Sequence, residues 1–431
     1  MEEVFIIGGG LAGSEAAYRV AKMGLMATVF EMKPLRFSAA HGSFDLAELV
    51  CSNSLKSEGI ENGSGLLKEE MKSLDSIVIR AAYATRVPAG KALAVDRAAF
   101  SKYITCALEA AGVKIIRKEM TSMPDMRPLV IATGPLTADA FAESIQGLVG
   151  RKSFHFYDAV APIVYRDSID MGIAFMSSRY NRGGNDYINC PLERDEYERF
   201  FAELTAADRL TPREFEDERV FESCMPIEAL ALRGPKTLLF GPMRPVGLID
   251  PRTGKRPYAA VQLRRENRED TLYNIVGFQT RLSFPDQKRV FRIIPGLERA
   301  EFARLGKLHR NSFINSPALL SSTLQLRRDP SIFLAGQITG VEGYCESSAT
   351  GIIAGINAAR MLKGKKPVSP PKTTMIGALL GHIAEASPEA FQPMNANFGL
   401  LPAMGKNGRG AKAEVALKDF TEWRNEFLES R

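Results

Sequence analysis

Nowhere in the chain does an apolar run approach the ~20 residues a membrane-spanning helix requires, so no span is expected. Cysteine is scarce: positions 51, 106, 190, 224 and 345 give an odd number and no C-x-x-C pair. That argues against a disulfide framework and a cysteine zinc site, and it suits a reducing cytoplasm, the expected location. No internal repeat is visible, and residues 399–407 lack the spacing of a Walker phosphate loop. A strong charge excess is also missing; a net +6 permits a polyanionic partner without requiring one. The opening Met-Glu-Glu-Val is acidic and runs straight into an apolar segment, so neither a signal nor a transit peptide is expected there. What is present is ordinary globular composition, 45% hydrophobic and 25% charged, over 431 residues, enough for two or three domains.

The first informative stretch is Val4-Phe5-Ile6-Ile7, a short buried strand, followed by Gly8-Gly9-Gly10-Leu11-Ala12-Gly13. In this G-x-G-x-x-G turn Gly8 permits the tight bend and Gly10 leaves room for a pyrophosphate. Gly13 lets the next helix press on the strand, and that helix points its N-terminus at the phosphate charge. A second strand, 27–30, ends in Glu31, placed to accept hydrogen bonds from a ribose hydroxyl. The unit implies a dinucleotide, FAD or NAD. Near the other end, strand 332–335 leads into Gly336 and Gln337, a turn with Gly340 and Gly343, and a small-residue helix over 347–362. Two such elements, one at each end, favour tightly bound FAD and make the middle an insertion.

The predicted fold class is therefore α/β: a Rossmann-like, two-dinucleotide-type FAD-binding domain with an inserted α+β substrate domain and a small helical C-terminal region. Residues 1–134 form the first part of the cofactor domain, 135–330 the insertion, 331–365 the return, and 366–431 a linker and helical cap. Within this frame, apolar spacing predicts helices over 65–74 and 97–111, the latter burying Cys106, and strands over 113–116 and 129–134. Residues 154–165 and 172–188 look strand-rich; 193–207 and 212–222 look helical, and Pro226 is expected to end the preceding helix. Cys51 and Cys224 read first as packing residues, although Lys56 could lower the pKa of Cys51 and Cys224 lies at an element boundary. Arg252, Lys255, Arg256, Arg264, Arg265 and Arg268 crowd one region with Tyr258 and Phe278 interleaved, which suits either a solvated mixed surface or an RNA-facing one. His309, among polar neighbours, decides nothing alone.

Taken together, several long stretches resemble one family, the folate- and FAD-dependent tRNA uracil-5-methyltransferases of the TrmFO type. They are residues 8–16, 48–57, 93–97, 222–228, 308–317 and 336–343, and the likeness spans nearly the whole chain. The GidA-type wobble-uridine modifiers share the cofactor elements but are longer. The resemblance implies methylation at C5 of uridine 54 in the tRNA T loop. It implies 5,10-methylenetetrahydrofolate as carbon donor, with FAD as electron source and methylene carrier and NAD(P)H regenerating reduced flavin. It makes Cys224 the nucleophile that adds to uracil C6, gives Cys51 the base-like role, and places His309 on the pterin. A thiolate at C6 is chemically apt, since it turns the poor nucleophile C5 into an enolate carbon. The T-loop base must then be extruded from its stack. Cys106 and Cys190 stay packing residues, and Cys345 departs from the family pattern. Competing readings are the same chemistry on ribosomal RNA, a small-molecule FAD oxidoreductase, or a non-catalytic flavin-bearing RNA-binding protein. An S-adenosylmethionine enzyme is disfavoured because Ile7 stands where such folds carry an acid.

Overall fold

Strands buried on both faces must be apolar, and the apolar segments 332–334, 129–131, 4–7 and 27–30 lie side by side in the middle of one sheet. Its order is Gln325–Leu326, Asp329–Leu334, Leu129–Ile131, Glu3–Ile7, Met26–Glu31, Lys114–Arg117. All neighbours are parallel except the first pair. This is a computed structural model, and it describes residues 2–38, 40–150, 153–159, 161–181, 184–209, 225–306, 308–402 and 408–429, excepting the side chains of 153–159, 181, 308–312 and 427–429.

The first helix, Leu11–Lys22, packs against the return helix, Tyr344–Leu362, with backbones in contact. A Cβ at Gly351 would lie 2.2 Å from the Ala12 carbonyl oxygen, and one at Gly355 2.6 Å from that of Ala16. The seam therefore admits nothing larger than glycine at either position, and it joins residues more than 300 apart in the chain.

On the same first helix, buried Glu15 accepts hydrogen bonds from Ser76 Oγ and from the Val78 amide (3.0 Å), at the start of helix Ile77–Ala84. Burial pushes its pKa up from 4.5 to about 7. The stability this carboxyl allows is thus fully present below about pH 4.5 and is lost as pH rises through about 7. Glu15→Gln should flatten that decline: in thermal melts, the variant should lose less melting temperature than the parent between pH 5 and pH 8.

The middle of the chain builds an antiparallel sheet, in the order Phe175–Met176, Tyr187–Leu192, Ala259–Arg265, Leu272–Ile275, Ile163–Tyr165, Phe302–Arg304. Its own core holds Phe200, Tyr273, Phe278 and Phe291. A ribbon, Ser153–Ala159 against Leu308–Ile314, carries the chain out and back and sets His309 opposite Asp158. The expected helix over 193–207 is present as Arg194–Ala206, started by a Glu193/Glu196 capping box. The tail supplies helices Met375–Glu385 and Arg409–Glu429. Both oxygens of buried Glu70 accept the first amides of the former, at 2.7 and 2.8 Å, fastening the tail to helix Gly63–Ser73. No helix among the described residues is long and apolar enough to cross a membrane.

Several expectations change. Phe141, Ile145, Ile314, Leu320 and Leu324 pack into the core of the parallel sheet, although 134 and 330 were drawn as the limits of the insertion. Between 172 and 188 only Phe175–Met176 and the start of Tyr187–Leu192 are strand among the described residues. Pro226 caps the start of helix Ile227–Leu232; 212–222, with the helix that Pro226 is expected to end, lies outside the described residues. Cys106 is exposed, because helix Arg97–Ala110 buries Phe100, Ile104 and Leu108, a stripe that leaves Cys106 on another face.

Candidate active site

The two glycine-rich elements converge on a cleft walled by Gly8–Ala12, Phe30–Lys33, Ala132–Ala138, Gly336 and Gln337. Gly8 sits at φ +100, and a Cβ there would strike the Ala132 carbonyl oxygen at 2.5 Å. At Gly13 a Cβ would lie only 1.8 Å from the Gly8 oxygen, whereas at Gly10 it would meet nothing within 4 Å. The first helix begins at Gly10 with no side-chain cap and no acid in its first turn, so its positive end is left for a ligand. Glu31 is buried in the wall and accepts the amides of Gly9 (2.8 Å) and Lys33 (2.9 Å), one on each oxygen. Each carboxylate oxygen carries a further lone pair for a ribose hydroxyl. An uncapped helix end, space at Gly10 and an acid on the neighbouring strand together fit FAD. His41 also lines the cleft, with Nδ1 2.6 Å from Ser38 Oγ; burial and the charge of Lys33 push its pKa down.

Gly13, Gly340 and Gly343 were expected among the cofactor contacts but do not line the cleft. They set backbone shape. Gly340 and Gly343 hold φ of +84 and +124, and side chains there would collide with Phe391 and Glu346.

Beside the cleft, just after its lining residue Val50, lies half-buried Cys51. The amides of Cys51 and Ser52 both donate to the Tyr344 hydroxyl, at 2.8 and 3.0 Å, and Tyr344 opens the return helix. The Cys51 carbonyl accepts from Arg97 (3.3 Å) and Arg304 (3.5 Å). Arg97 also reaches the Leu49 carbonyl at 2.7 Å and grips buried Glu266 with two bonds of 2.8 and 3.1 Å. Burial, aided by the charge of Arg97, pushes the Arg304 pKa down to about 10. Asn53 donates to the carbonyls of Val95 and Arg265, both at 2.9 Å. Residues 51–53 are thus stitched to the cofactor core on one side and to the insertion on the other. Lys56, the expected cation for Cys51, pairs with Glu346 instead, and arginines occupy that place.

Arg264 must be reassigned. It is buried, donating to Asn53 Oδ1 at 2.9 Å and Ser52 Oγ at 2.7 Å, so it supports the cysteine segment instead of facing RNA. The other expected RNA contacts differ in their partners. Arg252 holds Asp250, Arg265 pairs with Asp270, and Arg268 donates to the Ala84 carbonyl, while Lys255 and Arg256 lie on an exposed turn. Cys224 and the side chain of His309 lie outside the described residues. The end of the 222–228 motif is visible: buried Glu228 accepts from Thr280 Oγ1 and the Arg281 amide, both at 2.9 Å. Cys345 is buried, its sulfur 3.9 Å from the Leu55 carbonyl, and burial pushes the thiol up to about 11, which makes it a packing residue. Burial likewise pushes Cys190 upward.

A family model described as glucose inhibited division protein A (GIDA) matches residues 3–366. Two relatives, from Heliobacterium modesticaldum and Geobacter sulfurreducens, bear the name methylenetetrahydrofolate–tRNA-(uracil-5-)-methyltransferase TrmFO. Each is 55% identical to this chain, over 95% and 97% of it and 93% and 98% of their own lengths. The chain belongs to the TrmFO group of the GidA family. Among solved structures, Aquifex aeolicus GidA (form II crystal) superposes with a TM-score of 0.68 at 17% identity, covering 99% of this chain and 75% of that one. The shared fold is thus the GidA flavoprotein fold, and GidA carries additional length. Within a TrmFO member, the residues that sequence reading overlooked are Tyr344, Glu266 and Arg304. Tyr344 stood in plain view in the glycine-rich turn, whereas Arg304, on an edge strand, had no signal at all.

Proposed function

We propose that this chain methylates C5 of the T-loop uridine of tRNA, taking the carbon from 5,10-methylenetetrahydrofolate. Bound FAD, reduced by NAD(P)H, would supply the reducing electrons. The observation that carries the reading is the fixing of Cys51 beside the glycine-walled cleft, with its amide on Tyr344 and its carbonyl on Arg97 and Arg304. A main chain held from both sides aims the thiol at one place, as proton removal from a positioned carbon requires. In this scheme Cys224 adds to C6 and Cys51 takes the C5 proton. His309, five residues beyond Arg304, contacts the pterin. Gly8–Ala12, Glu31, Gly336 and Gln337 hold the dinucleotide. The parallel-sheet core is the cofactor domain, the antiparallel sheet the RNA-facing one, and the reaction takes place in the cytoplasm.

The purified protein, given unmodified tRNA, NADH and labelled methylenetetrahydrofolate, should place label in 5-methyluridine of the T arm. Cys51→Ala should lower that turnover at least about 100-fold, the scale of a lost general base. Label arriving from S-adenosylmethionine, or only in ribosomal RNA, would overturn the reading.

A further inference from the structure

Away from the cleft, the insertion carries a group of side chains that the scheme above leaves unused. Tyr180 is a non-glycine residue at φ +61, half exposed, with its amide donating to the Gly247 carbonyl at 2.9 Å. A left-handed tyrosine is an uncommon conformation that surroundings must impose. Arg244 donates to the Tyr180 hydroxyl at 3.2 Å, and Arg179 donates to the Arg244 carbonyl at 2.6 Å. The two arginines are thus tied to one another and to Tyr180, and among the described residues no carboxylate pairs with either. The Arg179 Nε is buried with no partner, and burial together with the charge of Arg244 pushes its pKa down. Four positions before Arg244, Phe240 ends helix Thr237–Phe240 with 82% of its surface exposed.

The group adjoins the catalytic segment. Tyr187 lies opposite Arg264 on the neighbouring strand, its carbonyl accepts the amide of Ser177 (2.9 Å), two residues before Arg179, and Arg264 is the residue bonded to Ser52, next to Cys51. Basic side chains therefore lead from Cys51 outward, with Tyr187 between them. Uncompensated arginines beside exposed aromatic rings are the combination that binds unpaired RNA: cations on phosphates, rings against bases.

We propose that Arg179, Tyr180, Arg244 and Phe240 grip the tRNA strand flanking the extruded uridine, with the two arginines on its phosphates and the two rings against its unpaired bases. The inference rests on the tRNA reading above. It assigns the RNA contact to a different surface from Arg264 and Arg265.

The test measures tRNA binding across a salt series, and the KM for tRNA, in the parent, Arg244→Glu, Arg179→Glu/Arg244→Glu, Arg179→Lys/Arg244→Lys and Phe240→Ala. The double charge reversal should weaken tRNA binding at least tenfold and reduce the slope of log affinity against log salt by about two, one per lost phosphate contact. The lysine pair should retain most of the affinity, and Phe240→Ala should weaken it about tenfold with the salt slope unchanged. Arg244 is exposed, so Arg244→Glu alone gives a well-folded check, verified by its retained FAD, and should lower the slope by about one. Unchanged binding in Arg244→Glu and Phe240→Ala, with a parent that binds and methylates tRNA, overturns this surface but spares the functional reading; a face built for a protein partner would give that result. A parent that neither binds nor methylates tRNA overturns both.

Discussion

Gly13→Ala will cost this protein both its flavin and much of its stability, whereas Gly10→Ala, three residues earlier, will cost it the flavin alone. The difference lies in what a single methyl group meets. At Gly13 it would stand 1.8 Å from the Gly8 carbonyl oxygen, so strand Glu3–Ile7 and the first helix must move apart. The two nearest atoms, the Gly8 carbonyl oxygen and carbon, are backbone and cannot swing away, and the seam with the return helix resists the movement. A loss of about 3 kcal/mol or more is expected, at the upper end for overpacking. At Gly10 the methyl meets nothing within 4 Å, so the apoprotein should melt normally. That open space is where the pyrophosphate must approach the helix end, and affinity for FAD should fall about 100-fold, roughly 2.7 kcal/mol. Flavin absorbance per chain, alongside thermal melts of the apoproteins, separates the two outcomes. Equal melting temperatures for the two variants would contradict the packing at Gly13.

Arg97→Met is the second change with a large effect. It keeps the bulk of the side chain but leaves Glu266, 3% exposed, as a buried charge without its bidentate partner. Breaking such a pair from one side costs about 3–5 kcal/mol. It also frees the carbonyls of Leu49 and Cys51, which Arg97 holds at 2.7 and 3.3 Å. A cysteine displaced by ~1 Å can lose about 100-fold in rate. The double variant Arg97→Met/Glu266→Leu distinguishes the two consequences. Removing the stranded carboxylate should restore most of the melting temperature, but methylation should remain low because the Cys51 carbonyl is still unheld. If the double variant recovers activity together with stability, Arg97 serves the fold and not the cysteine.

How far the sequence could be read follows from the range over which each feature is determined. The cofactor turn is local: Gly8, Gly10 and Gly13 lie within six residues, and steric arithmetic there needs no knowledge of the rest. Strands buried on both faces announce themselves as apolar runs, so the parallel sheet was legible. Around Cys51 the determinants come from afar. Arg264 and Asn53 are separated by 211 positions, and nothing near Arg264 distinguishes it from the basic residues beside it. On a strand, neighbours point to opposite sides, so Arg264 is buried against the cysteine segment while Arg265 pairs with Asp270. A run of charge was read as one surface when the pleat divides it. Cys106 failed for a related reason, since helical position and not helix membership decides burial.

The glycine seam between the first and return helices has a consequence for how the protein is made. Ala12 and Ala16 leave the ribosome early, but Gly351 and Gly355 follow only after more than three hundred further residues. At ordinary rates of synthesis that is an interval on the order of tens of seconds. Throughout it the nucleotide-binding turn exists without the helix that backs it, and the insertion, with a core of its own, has time to fold first. Flavin capture must wait until the return helix has emerged.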